Sequence, residues 1–204
     1  MRHVLNLWPE QLGAVPDELG DLTSLSDCLH LHDNDLRELP DSLGKLTRLR
    51  YLDVGENDLT VLPESIGGMS GLIELRAQHN RLSALPDGIG DCRELRELWL
   101  RGNVIEDLPS SAAALHQLRH LDLRENSLTA LPEPLAGLPL LRQLDVRSNH
   151  LVELPDRIVE LPSWRGWTCA GTPACPPRRC WTSCTGGGAS SGRDRAARAE
   201  RRHR

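Results

Sequence analysis

Cys28, His30 and His32 alternate along one stretch of chain, and three such side chains on one side of a strand are the first chemistry the sequence offers. Zinc asks for three or four ligands converging tetrahedrally at about 2.0–2.3 Å. Three successive same-face residues of a strand span about 13 Å, too far for one ion. His3 and His79 are not placed to help, so solvated surface is the better reading and no metal is assigned. Cys169, Cys175, Cys180 and Cys184 lack the C-x-x-C spacing of zinc modules. No glycine-rich phosphate loop, Ser/His/Asp set or nucleophile elbow is present. The recurrent acids of Pro40-Asp41, Pro63-Glu64, Pro86-Asp87 and Pro155-Asp156 read as caps for outer turns, not as acid/base pairs. No catalytic residue and no cofactor is expected.

Recognition is the other chemistry on offer, and it depends on an internal repeat. Asn34, Asn57, Asn80, Asn103, Asn126 and Asn149 stand 23 residues apart. Around each the same frame recurs: Leu49-x-x-Leu52-x-Val54-x-x-Asn57-x-Leu59-x-x-Leu62-Pro63 is matched by Leu118-x-x-Leu121-x-Leu123-x-x-Asn126-x-Leu128-x-x-Leu131-Pro132. A looser copy opens the chain with Leu5, Leu7, Leu12, Val15 and Pro16, and Glu10 stands where Asn is expected. One extra residue between Leu25 and Leu29 offsets the second copy. The Leu-x-Leu alternation is the period of a strand with one buried face. The Asn then bonds the turning backbone, and Leu-Pro halts the strand and sets the return path. The run Pro40-Asp41-Ser42-Leu43-Gly44-Lys45-Leu46 predicts a short helical or 3₁₀ turn on the outer side. No unit buries its own Leu residues alone, so the units must stack, with their strands in one parallel sheet and a right-handed coil.

These motifs resemble the leucine-rich-repeat family, in particular its 23-residue Ras-group class marked by Leu-Pro-x-x-Leu/Ile-Gly-x-Leu, over residues 4–162. The resemblance implies an α/β right-handed solenoid, with a curved parallel sheet on the concave side and short helical or 3₁₀ turns on the convex side. It also implies a cytoplasmic interaction scaffold with no shared active site, of which GTPase or kinase pathways are possible clients.

The residues that alternate with the strand Leu residues point to the open side of the sheet. The middle column is Asn6, His30, Asp53, Arg76, Trp99, Asp122, Asp145. The next is Trp8, His32, Gly55, Gln78, Arg101, Arg124, Arg147, and the preceding one is Val4, Cys28, Tyr51, Glu74, Glu97, His120, Gln143. Trp99 is expected to be exposed among Arg76, Arg101 and Glu97, with Tyr51 two strands away, and Trp, Tyr and Arg are enriched among binding hot spots. The alternative is a Trp lying flat on Arg stems. The expected partner surface is Tyr51, Asp53, Glu74, Arg76, Glu97, Trp99, Arg101, His120, Asp122, Arg124, Asp145 and Arg147, and the expected partner is another protein. The Arg101, Arg124, Arg147 column beside Asp122 and Asp145 reads equally well as mutual neutralisation, worth about 0–1 kcal/mol per exposed pair, or as a patterned dock.

Composition agrees with stacked layers: apolar residues make up 39% of the 204-residue chain, with no Phe and one Tyr. Residues 163–204 carry nine Arg against Asp194 and Glu200, a net +7 that leaves −12 for the rest of a chain whose total is −5. That division argues against nucleic acid as the partner of the whole chain. A small-molecule ligand is not expected either. No apolar run is long enough for a leader peptide or for the roughly 20 residues of a membrane span. Only Cys28 and Cys92 fall in the body, so no disulfide framework is expected and the cytoplasm is the expected compartment.

The array of about seven repeats is assigned to residues 1–163. The pattern stops at Ser163. Back-translating Trp164 to Pro173 with G/C-rich codons, and restoring one C before the first T, gives Leu-Glu-Gly-Leu-Asp-Leu-Arg-Gly-Asn, with Asn at the place of Thr172. Residues 164–204 are therefore read as a frameshifted and disordered tail; the alternative is a genuine basic, Cys-rich tail. A second functional reading follows: a truncated regulatory fragment of a larger repeat-containing enzyme or signalling protein.

Overall fold

The computed structural model describes residues 4–7, 11–152 and, as backbone only, 166–168. Among the described residues, eight three-residue strands form one parallel sheet in chain order: β1 Val4–Asn6, β2 Cys28–His30, β3 Tyr51–Asp53, β4 Glu74–Arg76, β5 Glu97–Trp99, β6 His120–Asp122, β7 Gln143–Asp145 and β8 Gly166–Thr168. Adjacent strands pair with no slip: Val4 faces Cys28, Cys28 faces Tyr51, and so on at 23-residue steps to Gln143 facing Gly166. The 24-residue first step is the extra residue before Leu29. Opposite the sheet lie six 3₁₀ turns, Asp17–Asp21, Asp41–Lys45, Glu64–Gly68, Asp87–Asp91, Ser110–Ala114 and Glu133–Gly137. Each starts after a Pro whose φ near −65° suits the entry, and each spans five residues, slightly longer than most 3₁₀ runs.

Between sheet and turns runs a single apolar interior. Leu29, Leu52, Leu75, Leu98, Leu121 and Leu144 are its strand-side column, and Leu43, Ile66, Ile89, Ala112 and Leu135 its turn-side column, all buried. Each fully buried Leu contributes about 1.5–3 kcal/mol relative to exposure. Cys92 occupies the place held by Leu46, Met69 and Leu115 in other coils; its thiol donates to the Ile66 carbonyl at 3.3 Å. Burial, with the Asp91 carboxylate nearby, pushes the Cys92 thiol up to about 12. At pH 8 the folded protein therefore presents almost no Cys92 thiolate, the nucleophilic form. The expected result is that iodoacetamide at pH 8 leaves Cys92 unmodified until denaturant is added, read by peptide mass spectrometry. Complete labelling of native protein would contradict this packing.

The Asn residues form the ladder that joins the coils. The Asn57 Oδ1 accepts from the N–H groups of Asn34 and Leu36, both at 3.0 Å, while its Nδ2 donates to the carbonyls of Leu31, Val54 and Gly55 at 2.9–3.0 Å. Asn103 likewise accepts from Leu82 N–H and donates to Ala77 and Leu100. Asn80, Asn126 and Asn149 repeat the scheme. The residue before each Asn takes a left-handed turn, with φ of 57° at Asp33, 52° at Glu56 and His79, 54° at Glu125, 56° at Ser148 and 68° at Gly102. Glycine alone adopts that conformation without cost, so the other five are held there by the ladder.

One reading of the sequence needs correction. The acids after Pro do not cap their own turns, because the capping position is the Pro itself and none of the six turns has a side-chain cap. Glu64 reaches instead to the next turn, accepting from Asp87 N–H at 3.3 Å and Gly88 N–H at 2.8 Å. The strand Gly166–Thr168 lies on the sheet beyond Ser163, with Trp167 in register with Leu144. Trp8, Glu10, Pro155, Asp156, Cys169, Cys175, Cys180 and Cys184, with the rest of the tail, lie outside the described residues.

Candidate interaction face

On the open side of the sheet, parallel register stacks chemically different side chains about 4.8 Å apart. Tyr51, Arg76, Trp99, His120 and Gln143 interlock across β3 to β7. The Arg76 guanidinium lies 5.4 Å from the Tyr51 ring centre and 5.6 Å from that of Trp99, within cation–π range. Trp99 stacks on His120 with ring centres 4.1 Å apart and 27° between planes. His120 Nδ1 is 2.7 Å from Gln143 Oε1. Glu74 accepts from Arg76 Nε at 2.7 Å and Glu97 from Trp99 Nε1 at 3.3 Å, each two residues along the same strand.

Trp99 is thus half-buried, clamped between Arg76 and His120. Shallow hollows flank it: one is bounded by Glu97, Trp99, Arg119, His120, Arg142 and Gln143. The other includes Arg76, Gln78, His79, Arg101 and Arg124. The indole meets the Arg76 guanidinium, and Trp99 stays partly exposed.

The charged columns behave differently from the expected surface pairs. Asp53 and Asp122 are buried, at 6% and 1% exposure. Each turns back to accept from the backbone N–H two residues on, Gly55 at 3.0 Å and Arg124 at 3.1 Å. Asp145 does the same with Arg147. The guanidinium groups of Arg124 and Arg147 lie flat on the carboxylates of Asp122 and Asp145 in two-pronged contact, and Arg124 also reaches Asp145 at 3.5 Å. The hydrogen bonds to these carboxylates raise both guanidinium pKa values. Asp122 is therefore a strand-end anchor with Arg124 lying over it. Arg101 leans instead on Glu125, which accepts at 2.7 Å and 3.1 Å and whose carboxyl is held below the usual range by that bond. Sequence reasoning missed Glu125 because it precedes the ladder Asn, outside the three columns. Arg119, Arg142 and Gln78 were also missed as linings.

These features define a stacked-coil solenoid with one side-chain-bearing ladder face. The family model for the leucine-rich repeat region matches residues 3–111 and that for the leucine rich repeat matches residues 93–151, so the chain belongs to the leucine-rich-repeat family. A leucine-rich-repeat protein of Leptospira interrogans is 30% identical, with a TM-score of 0.74 over 82% of this chain and 48% of that one. The plant peptide hormone receptor RGFR1, in complex with RGF2, is 30% identical with a TM-score of 0.69 over 78% of this chain and 27% of the receptor. An internalin of Listeria monocytogenes, at 21% identity and a TM-score of 0.69 over 81% of this chain and 47% of that one, shares the fold. This chain spans less than half the length of each. No curated protein matches it. No helix among the described residues is long and apolar enough to cross a membrane.

Proposed function

We propose that the chain is a non-catalytic protein-interaction module of the 23-residue Ras-group class, holding a peptide or protein partner across the open, concave face around Trp99. The interlocked row Tyr51, Arg76, Trp99, His120 carries this reading: its rings and guanidinium are already ordered, so less side-chain freedom is lost on binding. The receptor in complex with RGF2 supports a peptide or protein as the class of occupant. A signalling role and the cytoplasm belong to the same reading; the free core thiol of Cys92 is compatible with a reducing compartment.

Affinity capture with wild-type protein against Trp99→Ala, read by quantitative mass spectrometry, identifies the partner. Binding to it should weaken at least about tenfold in the variant, or 1.4 kcal/mol, with an unchanged melting curve. Equal affinity of the two proteins would sink the assignment of Trp99.

A second reading is favoured by the share of its relatives that the chain spans: a regulatory piece of a longer repeat protein, cut by a frame change near codon 164. Trp167 stands where β7 has Leu144 and where the restored frame places Leu. Resequencing the locus decides this reading, since an uninterrupted read without the missing base removes it.

A further inference from the structure

Looking along β2 alone, no metal site closes, because Cys28, His30 and His32 are strung out in a line. Across the ladder the situation changes. Asp53 of β3 is the register partner of His30, and His32 lies two residues on from His30 on the same face. One ring nitrogen of each His and one carboxylate oxygen of Asp53 all lie within 4.8 Å of one another, the one such group of three among the described residues. His32 Nδ1 is 3.7 Å from Asp53 Oδ2. We propose that His30, His32 and Asp53 form a binding site for a divalent first-row transition metal, zinc foremost, with at least one coordination position left open to the sheet face.

The ligand set is the first support. Two imidazoles and a carboxylate suit zinc and its neighbours, and three protein ligands leave a fourth position for water or an incoming group. Ligand bonds of about 2.0–2.2 Å bring tetrahedral donor atoms to roughly 3.4 Å from one another, so the widest separation must contract by up to about 1.4 Å. His30 and His32 are both half-buried, and small rotations of their rings supply that movement.

The surroundings of Asp53 are the second support. Its carboxylate is fixed before any metal arrives: Oδ1 accepts from Gly55 N–H at 3.0 Å, and Oδ2 from the Tyr51 hydroxyl at 3.2 Å. The Tyr51 ring also packs 5.1 Å from that of His30. Outer partners that orient ligands in this way are typical of metal sites, and losing one costs about 10–100-fold in affinity. A His32–Asp53 ion pair alone would leave the convergence of His30 on the same carboxylate without a role.

The untagged full chain, stripped with chelator, is titrated with Zn²⁺ by calorimetry and with Co²⁺ by visible absorption. One equivalent should bind, and the Co²⁺ complex should show d–d bands without thiolate charge transfer, which separates this site from the cysteines. His30→Gln, His32→Gln and Asp53→Asn should each weaken binding more than tenfold, and Tyr51→Phe about tenfold. Asp53→Asn keeps an oxygen for Gly55 N–H, so its fold, followed by melting, should persist. Absence of binding, thiolate bands, or binding unchanged in the three ligand variants overturns the site.

Discussion

Asn57→Ala should cost this protein about 2–6 kcal/mol, the sum of two buried N–H groups left unmet at roughly 1–3 kcal/mol each. The variant strips the N–H groups of Asn34 and Leu36 of their acceptor, while the carbonyls of Leu31, Val54 and Gly55 each lose one of two donors and keep Asn34 Nδ2, Asn80 Nδ2 and Asp33 N–H. Asn57 is 8% exposed, so solvent reaches few of those groups while the coils stay stacked. Asn57→Asp is the informative companion. It retains the accepting oxygen but loses the three donated bonds and aims a charge at carbonyls, so it should be nearly as damaging at neutral pH. Urea unfolding followed by circular dichroism measures both. A loss under about 1 kcal/mol for Asn57→Ala would mean that Leu stacking alone holds the coils in register.

The other large effect is expected on the turn side. Gly90→Ala should cost about 1–3 kcal/mol, the usual range for overpacking. A methyl group there would lie 2.5 Å from the carbonyl oxygen of Ser111 and 2.8 Å from its Cβ, and a backbone carbonyl inside a neighbouring turn cannot swing aside. Ala113 takes the equivalent place one coil on, and the turn stacked on it is the one with altered flanks. Pro132 before Glu133–Gly137 has φ −56° and ψ 128°, and Leu138 after it has ψ 95°, against ψ of 155° and 60° around Asp87–Asp91. The array thus admits a methyl where the next turn has already given way. The same urea experiment reads this variant. Wild-type stability for Gly90→Ala would show that the turns are spaced more loosely than their carbonyl contacts indicate.

The repeat was legible because its signals are periodic: the Asn residues mark every strand end, and the Leu positions name the buried columns correctly from β2 to β7. Register followed from the same spacing, so Trp99 and Arg76 could be placed side by side on the open face before any coordinates. What the pattern could not carry is the direction a polar side chain takes once placed. Asp122 and Asp53 occupy face positions yet fold down onto the backbone two residues on, a choice set by the strand-end turn. Glu64 serves the neighbouring turn because Pro63 holds the capping position of its own. His30, His32 and Asp53 were dispersed in sequence terms because only the residues of a single strand were compared. Donors that meet across the ladder are 21–23 positions apart, and only the aligned columns bring them together.

The seam between coils has a consequence for descent. Asn57, Asn103 and Asn149 take their bonds from their own coil and from the one before at the same offsets, so one junction is chemically interchangeable with another. A recombination event that doubles or deletes one coil's coding stretch rejoins matching edges. A lineage can thereby lengthen or trim its row of exposed residues by about 4.8 Å at a time, trialling new recognition sequences while the interior is inherited unaltered.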